Sequence, residues 1–70
     1  MERTHVHSSD LKSVGYAEAY QILEIEFRND RIYQYQNVPR DVFGQLLAAE
    51  SKGKFFHYLI KDNYPYVRIS

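Results

Sequence analysis

At 70 residues, 44% hydrophobic and 26% charged, the chain has the composition of one small folded domain, which excludes disorder, collagen and coiled coil. Nine basic residues cancel nine acidic ones, so no overall field points to nucleic acid or membrane, and the lack of cysteine excludes a disulfide scaffold and any thiolate metal centre. Apolar runs are short and the N-terminus has no signal-peptide stretch, so the expectation is a soluble cytoplasmic domain spanning 1–70, with residues 1–7 frayed.

The apolar period is two up to Val38 and helical after Pro39. Ser13–Tyr16 reads as a short strand with Val14 and Tyr16 on one face, and Ala17–Tyr20 as a turn. The run from Gln21 to Phe27 alternates: Leu23, Ile25 and Phe27 take one face, Glu24 and Glu26 the other. Arg31–Gln36 is the next strand, with Tyr33 and Tyr35 on one side. Matching faces fixes the intervening loop. A two-residue loop would put the tyrosines on the glutamate face; the three-residue loop Arg28-Asn29-Asp30 pairs Ile25 with Tyr33 and gathers Leu23, Ile25, Tyr33 and Tyr35 together. It asks for a left-handed backbone at Asp30, which aspartate tolerates. The result is a three-stranded antiparallel meander, open to water on its glutamate side.

Pro39 suits the first position of a helix running to about Glu50, with Val42, Leu46 and Ala49 as its stripe and Phe43 and Leu47 beside it. Ser51 is the expected N-cap of a second helix from Lys52 to about Lys61, burying Phe55, Phe56, Leu59 and Ile60. Asn63 and Pro65 stop it. The tail from Tyr64 to Ile69 is extended. The fold class is α+β, a β-β-β-α-α arrangement with both helices on one face of the sheet.

Several constellations invite a chemical reading. His5 and His7 are spaced to face one way on a strand, as two metal ligands require, but further ligands would have to come from Glu2, Asp10 or distant His57. The plainer reading, two histidines on a frayed end, is preferred, and no metal or other cofactor is expected. Glu24 and Glu26 stand roughly 7 Å apart along a strand, a usable acid/base spacing. A solvated strand face offers no cleft for a small-molecule substrate. Ser8-Ser9 lacks a nucleophile elbow and there is no glycine-rich phosphate loop. The expectation is therefore not an enzyme. Tyr33 and Tyr35 could form a base-stacking platform, but they share a face with Leu23 and Ile25, which points to the core.

Charge is unevenly placed. Residues 1–50 hold five basic and eight acidic side chains; residues 51–70 hold Lys52, Lys54, Lys61 and Arg68 against Asp62 alone. Positive charge thus gathers beside Tyr58, Tyr64 and Tyr66, an interleaving that suits single-stranded nucleic acid. A solvated helix face is the plainer alternative.

From Ser8 to Ile69 the chain resembles the KTSC domain family. The ordered pieces are Ser13-Val14-Gly15-Tyr16, the LEIEF run at 23–27, Tyr33-Gln34-Tyr35, Asn37-Val38-Pro39, the segment Ser51 to Phe56, and Tyr64-Pro65-Tyr66. Asp30 departs from a common hairpin glycine, and Ala17 from an acidic residue. The resemblance implies a small stand-alone bacterial or phage protein, akin to a domain appended to the C-terminus of some lysyl-tRNA synthetases. It implies RNA binding by that association only. It also draws attention to Lys52-Gly53-Lys54 at a helix N-terminus, where backbone N–H groups favour an anion; the alternative is that Gly53 lets the two helices turn closely.

Two functions remain. One is a non-catalytic RNA-binding module, for tRNA or a single strand, with Lys52, Lys54, Lys61 and Arg68 on phosphate and Tyr64 or Tyr66 stacking. The other is a protein-interaction module docking on the translation or transcription machinery through an apolar patch or an edge strand.

Overall fold

Period-two patterning in the first half of the chain becomes a meander with more strands than that pattern predicts. A computed structural model describes residues 1–70. Its sheet runs β1 (Thr4–His5), β2 (Leu11–Ala17), β3 (Ile22–Phe27), β4 (Ile32–Tyr35) and β5 (Tyr66–Arg68), in that order, every neighbouring pair antiparallel. Strands β2, β3 and β4 are the three expected ones. The expected three-stranded sheet is corrected to five strands. The additions, two and three residues long, are too short to show alternation, and each is held by a single neighbour. The N-terminus is accordingly paired rather than frayed, Thr4 opposite Val14 and His5 opposite Ser13. Residues 18–20 form a 3-10 turn.

Register follows the face argument. Ile25 pairs with Tyr33 and Leu23 with Tyr35. The Phe27 N–H donates to the Arg31 carbonyl at 2.9 Å, closing the three-residue loop with Asp30 at φ 67°. Between Leu11 and Ser13 the register shifts. This bulge brings both Leu11 and Val14 into the core although their separation is odd.

Helix α1 spans Arg40–Ala48 and α2 spans Lys52–Leu59. Pro39 caps α1 instead of opening it, and both helices end about two residues early. The Ser51 hydroxyl accepts from the Lys54 N–H at 3.4 Å, the expected cap. Asn63 Nδ2 donates to the Leu59 carbonyl at 2.9 Å and satisfies the other end of α2. Leu11, Val14, Leu23, Ile25 and Tyr35 from the sheet meet Leu46 of α1 and Phe56 of α2, with Val38 and Ile60 closing the ends. Leu59, expected to be buried, is exposed, as is Leu47 beside the α1 stripe, because each short helix presents only a narrow stripe to the sheet.

The outer face of the sheet is not the solvated surface expected from Glu24 and Glu26. Glu24 is only 4% exposed. It pairs with the Arg3 guanidinium and accepts from Gln34 Nε2 at 2.8 Å. Arg3 Nε donates to the Ser13 hydroxyl at 2.9 Å, which donates in turn to Glu26 at 2.9 Å. The N-terminal segment therefore lies across this face as a strap. Gly15 makes that possible: a Cβ there would collide with the Glu2 backbone carbonyl. Burial alone would raise the Glu24 pKa, but hydrogen bonds from Gln34 and Arg3, with the Arg3 charge, outweigh it and hold the carboxyl below its ordinary 4.5.

Candidate functional site

A groove of about 530 Å³ lies between α2 and β4 on the inner face of the sheet. Its walls follow from the two periodicities. Arg31, Tyr33 and Tyr35 are two apart along the β4 segment; Gly53, His57 and Lys61 are four apart along α2 and its C-terminal extension. The two rows face each other. Arg28 and Asn29 close one end at the β3–β4 loop, and Asp62 and Tyr66 the other.

The floor is an aromatic cluster. Phe27 packs edge-on to Tyr33 and Phe56, with centroids 5.6 and 5.2 Å apart. Tyr66, on β5, tilts over Tyr33 and Tyr35 at 5.6 and 5.5 Å and is itself 56% exposed. These contacts lock the ring orientations while leaving Tyr66 and part of Tyr33 open to a ligand. Tyr35 is buried beneath them. Burial first, then the neighbouring Tyr33, Tyr66 and Asp62 charges, push its hydroxyl pKa well up, so it remains a neutral phenol at physiological pH. Of the two tyrosines expected in the core, Tyr35 is buried there, and Tyr33 is partly buried on the wall of the groove.

The cations of the groove are free to act. The chain's ion pairs engage Arg3, Lys12 and Arg40, leaving Arg31 and Lys61 without an acidic partner. Arg28 is oriented by one hydrogen bond, from Nε to the Ser8 carbonyl at 3.2 Å. Against these stand two carboxylates, Asp10 and Asp62. Asp10 has a structural post: its Oδ2 lies 2.7 Å from where a Cβ on Gly53 would stand, close to the first turn of α2.

The residues singled out from sequence are dispersed by this arrangement. Lys61 and Tyr66 line the groove. Lys54 is exposed outside it. Lys52 Nζ donates to the Ala49 carbonyl at 3.1 Å, closing the end of α1. With Asp10 at the α2 N-terminus, the Lys52-Gly53-Lys54 turn already has a carboxylate of its own chain beside it. Tyr64 is half-buried against the core. Arg68 stands opposite Tyr33 on β5, its Nε donating to the Ser70 carbonyl at 2.9 Å. His5 and His7 are exposed, and nowhere do three metal-ligating side chains of His, Asp or Glu gather. Arg28, Arg31 and His57 are the groove residues that the sequence reading missed. The four-residue spacing of Gly53, His57 and Lys61 was a visible signal, but not where that face pointed.

This architecture defines an α+β domain with one helical layer and an aromatic-floored, basic-rimmed groove at the seam. The KTSC domain model matches residues 7–64, and the chain belongs to that family. The crystal structure of a KTSC domain protein from Yersinia pestis superimposes with a TM-score of 0.96 at 38% identity, covering 99% of this chain and 97% of that one. An uncharacterized protein of Stutzerimonas stutzeri is 43% identical over 70 residues, 99% of each chain. A lysine–tRNA ligase of Nostoc sp. PCC 7120 is 39% identical over 62 residues, which are 89% of this chain and 11% of the ligase. No helix of the chain is long and apolar enough to cross a membrane.

Proposed function

We propose that the chain is a non-catalytic binding module for single-stranded RNA and that the groove between β4 and α2 is its binding surface. The observation that supports this most is the placing of two unpaired cations, Arg31 and Lys61, on facing walls above the open rings of Tyr33 and Tyr66. Phosphates take the rim and bases take the floor, the usual division of labour on a single strand. The likeness to part of a lysine–tRNA ligase is compatible with an RNA partner. Lys54 and Arg68 would extend the phosphate path beyond the groove.

Titration with a short single-stranded RNA, followed by backbone amide shifts, tests the reading. Shifts should centre on residues 27–35 and 53–66. Three phosphate contacts, from Arg28, Arg31 and Lys61, give a log–log salt slope near −2, about a twentyfold loss between 50 and 200 mM. Exchange of Arg31 and Lys61 for alanine should weaken binding more than exchange of Lys52 and Lys54; the reverse order would move the site to the start of α2. Absence of binding at 50 mM salt would retire the reading. A protein-docking role draws support from exposed Tyr58 and Leu59 on the outer side of α2, and would be nearly insensitive to salt.

A further inference from the structure

The groove holds one carboxylate that its own fold does not use. Asp62 lies just past the C-terminal end of α2, where a carboxylate opposes the helix dipole. It joins none of the chain's ion pairs, and no side-chain hydrogen bond reaches it. It faces a groove lined by Arg28, Arg31 and Lys61, whose other carboxylate, Asp10, sits by the first turn of α2, and its charge reaches the buried Tyr35 and disfavours ionisation there. In a phosphate-binding rim such a group repels the backbone of the ligand. A position that breaks a local rule with no compensation inside the fold is a place to look for recognition.

We propose that Asp62 reads the base lying on the Tyr66 ring, accepting hydrogen bonds from an exocyclic amino group, so that the groove prefers cytosine to uracil. This rests on the RNA-binding reading of the same groove. A carboxylate has acceptors only. Cytosine presents an N4 amino donor where uracil presents the O4 carbonyl, so the same Asp62 oxygen attracts one and repels the other. The two bases have near-identical stacking area, and the Tyr33 and Tyr66 rings do not separate them. Lys61, adjacent in the chain, remains available for the phosphate.

The experiment measures binding of fluorescent eight-nucleotide oligocytidylate and oligouridylate at 50 mM salt, for the native chain and for Asp62→Asn. Asp62 is exposed, and the variant should keep the thermal unfolding midpoint of the native chain. The expected result is a preference for oligocytidylate of about fivefold or more in the native chain, the low end for one base contact. It should fall to within about twofold in Asp62→Asn, whose amide offers both donor and acceptor. Equal affinities in the native chain overturn the proposal while leaving RNA binding standing. A variant that binds both strands more tightly with the preference intact also overturns it, making Asp62 a purely repulsive charge. No binding of either strand overturns the underlying groove reading itself.

Discussion

The two faces of β3 and β4 solve the same burial problem with opposite chemistry. On the inner face, Leu23, Ile25, Tyr33 and Tyr35 meet the helices, and stabilisation comes from apolar area and aromatic packing. On the outer face, Glu24, Glu26 and Gln34 are covered by a strap of the same chain, and burial is made tolerable by Arg3 and Ser13. Apolar packing can be left partly open at little cost, and the groove with its half-exposed tyrosines is the consequence. A buried carboxylate must have every partner in place, and so the polar face is closed and specific. The face that looks chemically active in the sequence is the structural one, and the face that looks like core holds the candidate site.

The sharpest way to break this contrast is on the inner face. Tyr35→Ala removes a ring packed between Phe56 and Tyr66 and should destabilise by roughly 3 kcal/mol or more, read as the urea midpoint. A near-native midpoint would mean that the cluster is a surface feature and not part of the core.

On the outer face the expected loss is somewhat smaller. Arg3→Ala leaves Glu24 without its charge partner, although Gln34 still donates to it. Removing one member of a fully buried pair costs about 3–5 kcal/mol, and the partial exposure of the Arg3 side chain reduces this to roughly 2 kcal/mol. The double exchange Arg3→Met with Glu24→Met should recover most of the loss, because the apolar pair leaves no orphan charge. Failure to recover would show that the lost hydrogen bonds to Gln34 and Ser13, and not an orphaned Glu24 charge, set the cost.

The smallest effect distinguishes the faces by pH. The Glu24 pKa is depressed in the folded state, so its contribution is complete above the unfolded carboxyl value and is lost as pH falls through the folded one. As pH falls below about 5 the unfolded chain binds more protons at this site, and stability should fall with pH more steeply in the native chain than in Glu24→Gln. Parallel slopes would place the acid sensitivity elsewhere.

Particular residues show how far the sequence could be read. Ile25, Tyr33 and the three-residue loop were legible because alternation permits only one register once the apolar faces must coincide. Ser51 was legible because capping is a matter of four consecutive residues. The groove was not. Arg31, Tyr33 and Tyr35 on one segment, and Gly53, His57 and Lys61 on another, are each regular, but nothing in either says that the rows oppose each other. The strap was equally hidden, since Arg3 and Glu24 lie 21 residues apart and neither pattern announces the other.

The amino-acid sequence by itself determined the strands β2 to β4, the register of β3 with β4 and the two helices, because these depend on periodicity, capping and loop chemistry within a few residues. Tertiary structure alone decided the edge strands β1 and β5, the polar strap over Glu24 and the aromatic groove. Those features arise where distant segments remove water from one another, and which groups lose their water is a property of the packed chain, not of any local pattern.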